Sequence, residues 1–189
     1  MTRIVAGAAR GRRLAVPDGR RTRPTSDRAR EGLFSTLVSM LGTFDGLRVL
    51  DLYAGSGAVG LEALSRGAAH VLLVESDRVT ADVIASNVAL IGLPGAVVRT
   101  GPVGTVLAAP CPGDPYDVVF LDPPYETDDA DVEAVLASLV EQRWLGLGAV
   151  VVAERPTRGS EPAWPAGVLG DRSRRYGEGT LWYGRASGA

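Results

Sequence analysis

Apolar residues along the chain occur in two patterns, short continuous runs and runs spaced by three or four residues. Continuous runs are typical of parallel strands buried on both faces, and spaced runs are typical of helices that bury one face. The continuous runs predict strands at residues 47–52, 71–74, 97–100, 116–121 and 149–154. The spaced runs predict helices at residues 29–41, 58–66, 78–91, 103–108 and 131–142. Because strands and helices alternate, we predict an α/β fold with a doubly wound, mostly parallel sheet.

Two stretches outside this alternation predict hairpins. Residues 171–176 and 180–185 flank a Gly-Glu-Gly turn, which predicts a C-terminal antiparallel hairpin at one edge of the sheet. Near the N-terminus, residues 3–6 and 12–16 surround a glycine-containing turn and predict a small basic β-hairpin. We therefore expect two parts, a basic N-terminal arm at residues 1–24 and a main domain at residues 25–189.

The composition fits a chain with one sizeable apolar core. It has 189 residues, 46% of them apolar, and no apolar run approaches the length of a membrane helix. Since a basic segment followed by an apolar leader is also absent, we expect a soluble, cytoplasmic protein, and we expect a monomer. Cys111 is the single cysteine, which excludes an intrachain disulfide and argues against a cysteine-based zinc site, so no metal is expected.

Charge is distributed unevenly along the chain. The net charge is −2, yet residues 1–30 carry nine arginines against two aspartates, a charge of +7 that leaves −9 on the remainder. A basic arm on an acidic body predicts a polyanionic partner. The arginines of the arm that we expect to contact phosphates are Arg3, Arg10, Arg12, Arg13, Arg20, Arg21 and Arg23.

The segment after the first predicted strand carries the first candidate site. Residues 55–60, GSGAVG, match the G-x-G-x-x-G pattern, in which small residues let a ligand approach the backbone and a helix N-terminus. The pattern alone is compatible with NAD or FAD, and Glu75 after the second strand suits ribose hydroxyls in either case. Asp51, at the end of the first strand, argues against a dinucleotide, because its charge repels a pyrophosphate and favours an amine-bearing or cationic ligand.

A second candidate site, Asp122-Pro123-Pro124-Tyr125, follows the fourth predicted strand. An exocyclic amine on a nucleobase is a poor nucleophile, because its lone pair is delocalised into the ring. A site can activate the amine by accepting hydrogen bonds from both N–H groups, and the Asp122 carboxylate and the Pro123 carbonyl offer two such acceptors. The two prolines fix the backbone around this carbonyl. Tyr125 offers a surface on which a base turned out of its helix or loop can stack.

These two sites carry a family resemblance. Residues 51–57 resemble the first motif of the class I S-adenosylmethionine-dependent methyltransferases, and residues 122–125 resemble their amino-methylating D/N-P-P-Y/F motif. The resemblance implies a Rossmann-like fold, S-adenosylmethionine as cofactor and catalytic roles for Asp122, Pro123, Pro124 and Tyr125. It also implies that the methionine part of the cofactor lies along Asp51, Ala54, Gly55, Ser56 and Gly57. The ribose position corresponds to Glu75, with Ser76 beside it.

A narrower resemblance covers nearly the whole chain. The resemblance is to the bacterial enzymes that methylate a guanine N2 amine in 16S ribosomal RNA, and it is carried by residues 1–14, 23–34, 51–66, 75–77, Asn87 and residues 122–125. This resemblance implies 16S ribosomal RNA as the partner, within a small ribosomal subunit or its assembly intermediate. Asn87 itself is interpreted as a helix-surface or packing residue rather than a catalytic one.

The residues leave alternatives from other classes open. The Asp-Pro-Pro-Tyr motif also fits methylation of adenine N6 or cytosine N4 in DNA, or of a glutamine amide in a protein, and substrate competition separates these. A non-enzymatic RNA-binding module would bind no cofactor. A nicotinamide oxidoreductase is disfavoured by the Pro-Pro-Tyr turn and by a single histidine, His70.

Overall fold

The computed structural model describes residues 2–17 and 27–187. The chain divides into two compact units, Met1–Gly101 and Pro102–Ala189. The described part of the N-terminal arm belongs to the first unit. Arg20, Arg21 and Arg23 lie outside the described residues, so the prediction made for them stays a prediction.

The arm forms the antiparallel hairpin that the sequence predicts, with strands β1 (Thr2–Arg3) and β2 (Arg13–Leu14). Both strands are shorter than predicted. For β1 the reason lies at Val5 and Ala6, whose backbone N–H groups donate to the carboxylate of Glu62 instead of to the opposite strand. For β2 the reason lies at Ala15, whose backbone N–H and carbonyl groups bond to the side chain of Asn87.

The first unit continues with three parallel strands and three helices. The strands are β3 (Arg48–Leu52), β4 (His70–Glu75) and β5 (Ala96–Thr100), in the order β5-β4-β3. The helices are α1 (Asp27–Leu41), α2 (Ala58–Ser65) and α3 (Arg78–Ile91). Every residue of β4 from Val71 onward is buried, as expected of a parallel strand covered on both faces.

The second unit carries four strands and two helices. The strands are β6 (Tyr116–Leu121), β7 (Leu145–Pro156), β8 (Val168–Tyr176) and β9 (Gly179–Ala186), in the order β6-β7-β9-β8. The helices are α4 (Val103–Leu107) and α5 (Asp129–Glu141). Strands β6 and β7 are parallel, whereas β9 is antiparallel to both β7 and β8. The predicted α/β class, with mostly parallel strands and a C-terminal antiparallel hairpin, is confirmed.

Helix and strand ends agree with prediction where local signals are strong. Helix α3 has its predicted bounds because the Asp77 side chain accepts the Thr80 N–H at its start and Gly92, at φ +65°, ends it. Strand β7 begins at Leu145 rather than at residue 149, because its first residues pair with β6. The sequence did not predict these residues as strand, since Gly146 and Gly148 have low strand propensity. No helix within the described ranges is both long and apolar enough to cross a membrane.

Candidate functional site

A tight turn of small residues connects β3 to α2. The Gly57 N–H donates to the Ala54 carbonyl at 2.7 Å, and the Ala54 N–H donates to the Val74 carbonyl at 2.9 Å, which ties the turn to the end of β4. Gly55 and Gly57 have φ values of +57° and +77°, in the left-handed region that favours glycine. We call residues 54–57 the glycine turn.

Two buried carboxylates hold this turn in place. Asp51 is 2% exposed, and its Oδ2 accepts the Gly60 N–H in the first turn of α2 at 2.8 Å. Glu75 is 4% exposed and accepts the N–H groups of Gly55 at 3.1 Å and Asp77 at 2.9 Å. The first unit therefore brings the predicted cofactor residues together. Ser76 is exposed at the rim, with its hydroxyl 3.4 Å from Glu75 Oε1.

The environment of Asp51 disfavours its charge. Burial raises the pKa of Asp51 to about 7; the hydrogen bond from Gly60 opposes this shift, and the nearby negative charge of Glu75 adds to it. A positively charged ligand would favour the ionised form of Asp51, in which both of its oxygens act only as acceptors, so the site suits a ligand that brings hydroxyl groups and positive charge. A pyrophosphate would be repelled.

We expect the elevated pKa of Asp51 to appear as a pH dependence of stability. The folded protein retains a proton on Asp51 that the unfolded chain releases near pH 3.8, so this stabilisation is complete below that pH and is lost as the pH rises through about 7. Between pH 5.5 and pH 8 the loss is about 2 kcal/mol. Urea denaturation at both pH values should show that Asp51→Asn removes this component. Equal pH dependence in the variant and the wild type would contradict the assignment.

One side of the glycine turn is open. Among the described residues, a Cβ added at Gly55 would meet only the Tyr53 carbonyl oxygen, at 4.0 Å. At Gly57 a Cβ would instead lie 3.1 Å from both Ile84 and Leu73, in the packed interior. An open backbone surface beside two carboxylates fits the methionine and ribose parts of S-adenosylmethionine, which carry an ammonium, a sulfonium and hydroxyl groups.

The predicted catalytic residues form a loop in the second unit, directly after β6. Asp122 is half-buried, Pro123 is buried, and Tyr125 is 47% exposed. The Thr127 N–H donates to the Pro124 carbonyl at 2.9 Å, so the turn uses the carbonyl of Pro124 rather than that of Pro123. Residues 122–125 thus present a carboxylate and an aromatic ring on a backbone restrained by two prolines.

Arg155, which the sequence analysis did not select, braces the chain after this loop. It lies on β7, is 7% exposed, and its Nη2 donates to the Thr127 carbonyl at 3.0 Å and to Asp129 Oδ1 at 2.7 Å. The guanidinium thereby fixes the turn that follows Tyr125 against the start of α5. The available signal in the sequence was a pair of charged residues, Glu154 and Arg155, at the end of a strand whose preceding residues are apolar.

The arginines of the arm differ in their contacts. The side chains of Arg3, Arg10, Arg12 and Arg13 are all exposed. Arg3 Nε lies 3.4 Å from Asp27 Oδ2. Arg12 Nη1 donates to the Leu90 carbonyl at 2.7 Å, near the end of α3. The structure therefore presents these four residues on the surface of the first unit, where a phosphate would compete with the contacts of Arg3 and Arg12.

Two polar residues of α2, Glu62 and Ser65, form hydrogen bonds to the arm, and we call them the polar seat. Glu62, fully buried, accepts the N–H groups of Val5 and Ala6, and Ser65 Oγ accepts the Ala9 N–H at 2.9 Å. This seat was not predicted from the sequence, although a glutamate inside the small and apolar run AVGLEALS is a signal that a buried partner exists.

Gly7 is essential to this seat. It has a φ of +82°, and an added Cβ would lie 1.7 Å from the Ser65 carbonyl oxygen, a clash that only displacement of the arm can relieve. We expect Gly7→Ala to break the hydrogen bonds that Ala8 and Ala9 donate to Ser65, at about 1 kcal/mol each. The detached fraction of the arm should then rise about thirtyfold. Trypsin cleavage after Arg10 and Arg13 would report this.

The matched control is Gly11→Ala. Gly11 has nearly the same φ, +84°, but an added Cβ lies within 4 Å of no atom in the described part of the chain. Comparable acceleration of cleavage in both variants would show that backbone strain, and not the seat on α2, controls release of the arm.

Comparisons with known proteins agree with this architecture. The model of the family described as Conserved hypothetical protein 95 matches residues 2–185. Ribosomal RNA small subunit methyltransferase D of Escherichia coli is 38% identical over 164 residues, which cover 87% of this chain and 79% of that protein. A putative rRNA methyltransferase of Bacillus subtilis, YlbH, is 34% identical over 178 residues, covering 93% and 94%.

Two solved structures resemble this chain in both fold and sequence. The putative methyltransferase yhhF from Escherichia coli superposes with a TM-score of 0.86 at 33% identity and covers 98% of this chain and 97% of its own. A hypothetical protein from Thermus thermophilus gives a TM-score of 0.80 at 36% identity, with coverage of 97% and 98%. The predicted family is confirmed: the chain belongs to the Conserved hypothetical protein 95 family, together with the ribosomal RNA small subunit methyltransferases D.

Proposed function

We propose that this protein methylates the exocyclic N2 amine of a guanine in small-subunit (16S) ribosomal RNA, the guanine of the 966 type. The cofactor is S-adenosylmethionine, in agreement with the family and with the acceptor groups around the glycine turn. The Asp122–Tyr125 loop carries the proposal, because among the predicted site residues it alone offers a carboxylate, a proline-restrained carbonyl and an exposed aromatic ring to a base.

The loop explains how an amine becomes the nucleophile. S-adenosylmethionine, when bound, supplies a methyl group on a positively charged sulfur. Asp122 and the Pro123 carbonyl accept the two N–H groups of the amine, which favours a pyramidal nitrogen with an available lone pair. Tyr125 stacks on the base and fixes its plane. As the nitrogen–carbon bond formed, the bond between sulfur and the methyl carbon would break and its electron pair would leave with S-adenosylhomocysteine. The nitrogen would then lose one proton to Asp122 or to water, so no strong base is required.

Recognition of the RNA is assigned to the arm. We retain the functional division into the arm, residues 1–24, and the catalytic domain, residues 25–189. A small basic arm binds phosphates and reads few bases, so the shape of a ribosomal subunit or of its assembly intermediate supplies the specificity. A cytoplasmic monomer is part of the same proposal.

Neutralising the arm tests this assignment. We expect the triple change Arg10→Gln, Arg12→Gln and Arg13→Gln to weaken binding to small-subunit RNA and to flatten the dependence of log Kd on log salt concentration by about two to three units. Filter binding across a salt series measures both quantities. An unaltered slope would assign the arm another role.

Three exposed arginines outside the arm provide the control. Arg78, Arg99 and Arg143 are exposed, and changing them to glutamine removes the same charge. A loss of slope as large as in the arm variant would show that net charge, and not the arm, determines the binding.

Substrate competition tests the class of substrate. Transfer of labelled methyl groups to small ribosomal subunits should resist a large excess of duplex DNA or of a glutamine-containing peptide, neither of which should become labelled. Labelling of DNA or peptide in preference to ribosomal RNA would overturn the proposal while leaving the fold and the loop chemistry intact.

A further inference from the structure

One buried side chain connects the arm to the glycine turn. Asn87 on α3 is 1% exposed, and its Oδ1 accepts the Ala15 N–H at 2.8 Å. Its Nδ2 donates to the Ala15 carbonyl at 2.9 Å and to the Ser56 carbonyl at 3.0 Å. The opposite amide orientation would place its oxygen against two carbonyls, so the network itself determines the orientation. Asn87 is more than the packing residue that the sequence suggested.

The two segments that share Asn87 belong to different predicted sites. Ala15 directly follows β2, the strand that carries Arg13 of the basic arm. Ser56 lies in the glycine turn between two residues of positive φ, so the direction of its carbonyl depends on the conformation of that turn. Ala15 and Ser56 are far from Asn87 in sequence, which makes the amide a tertiary link rather than a local cap.

We propose that Asn87 is a positioning residue that couples RNA binding on the arm to cofactor binding at the glycine turn. A ligand that orders either segment also fixes the amide that the other segment uses, so each ligand strengthens binding of the other. Linkage requires this effect to be reciprocal. The inference rests on the proposed function, since it presupposes that the arm binds RNA and that the turn binds S-adenosylmethionine.

The direct test is the affinity for RNA with and without cofactor. Fluorescently labelled small ribosomal subunits are titrated with the protein, in the absence and presence of saturating sinefungin, an unreactive amine analogue of S-adenosylmethionine. We expect sinefungin to tighten binding to the wild type by about fivefold or more, and to change binding to Asn87→Ala by a factor near one. A factor near one in the wild type would overturn the proposal.

Ser65→Ala is the matched control. Ser65 Oγ also makes two hydrogen bonds to the arm, accepting from Ala9 and donating to the Ala6 carbonyl, and both join it to the arm and not to the glycine turn. This variant should weaken RNA binding and retain the effect of sinefungin. If Ser65→Ala abolishes the effect as completely as Asn87→Ala, then ordering of the arm in general is responsible, and the assignment to Asn87 is wrong.

A second measurement uses the wild type alone, so it does not depend on the folding of a variant. Sinefungin without RNA should slow hydrogen exchange at the Ala15 amide, which donates to Asn87. Exchange at the Gly11 amide, which bonds within the arm to Ile4, should change little. An unchanged Ala15 rate overturns the coupling. Absence of cofactor or RNA binding would overturn the proposed function, whereas methylation without mutual strengthening would overturn the coupling alone.

Discussion

Asp122→Ala is expected to lower the rate of methyl transfer by about two to three orders of magnitude while leaving cofactor affinity nearly unchanged. The variant removes one of the two acceptors that the amine requires, and loss of a comparable contact in other active sites costs about 100- to 1,000-fold. It leaves the glycine turn, Asp51 and Glu75 intact, and these belong to the first unit. Single-turnover methylation measures the rate, and calorimetry with S-adenosylmethionine measures the affinity.

Asp122→Asn and Asp128→Ala complete this test. The amide that Asp122→Asn introduces keeps an acceptor oxygen in one of its two orientations. Asparagine is also the alternative residue of the D/N-P-P-Y/F motif, so we expect a smaller loss than with alanine. Asp128 is exposed at the start of α5, and its side chain makes no capping hydrogen bond, so its removal should leave the rate unchanged. Normal turnover by Asp122→Ala would eliminate the proposed role of this carboxylate.

Gly55→Leu is expected to weaken the affinity for the cofactor by about 100-fold or more, because the side chain occupies the space that the ligand needs beside the backbone. The effect on the stability of the fold should be smaller. The side chain would extend into the space over the open side of the glycine turn, where an added Cβ meets no described atom closer than 4.0 Å. The protein can therefore accommodate leucine, whereas a ligand that approaches the backbone cannot. The positive φ at this position costs about 1–2 kcal/mol in stability. Calorimetry and thermal denaturation separate the two effects.

Gly42→Leu is the control for this variant. Gly42 ends α1 with a φ of +85°, and an added Cβ there comes within 4 Å of none of the atoms of residues 2–17 and 27–187. It should show a similar loss of stability and unchanged cofactor affinity. Equal cofactor affinity in Gly55→Leu and the wild type would place the cofactor elsewhere.

Local chemistry explains what the sequence made predictable. Asp77 and Gly92 are residue types that predict where α3 begins and ends. A buried strand followed by small residues likewise predicts the position of a sharp turn. The Asp-Pro-Pro-Tyr motif is likewise contiguous, so its loop position after β6 follows once the strand is recognised. In each case the determining contacts lie within a few residues of one another.

Tertiary contacts explain what the sequence did not reveal. Glu62, Asn87 and Arg155 are polar residues whose hydrogen-bond partners are distant in the chain. No local sequence pattern identifies those partners. The shortening of β1 has the same origin, since Glu62 takes the N–H groups that a longer hairpin would use. The signal in the sequence was a polar residue at a position that the helix or strand pattern predicts to be buried. Such a residue requires a hydrogen-bond partner, although the sequence does not identify that partner.

The most direct test of the central claim is identification of the methylated nucleoside. Small ribosomal subunits from cells lacking this activity are incubated with the protein and methyl-labelled S-adenosylmethionine, and their RNA is digested to nucleosides and separated by liquid chromatography. We expect label in N2-methylguanosine from the small-subunit RNA, and labelling at least about 100-fold slower with Asp122→Ala. Label in N6-methyladenosine or N4-methylcytidine, or no labelled nucleoside from a protein that binds the cofactor, would contradict it.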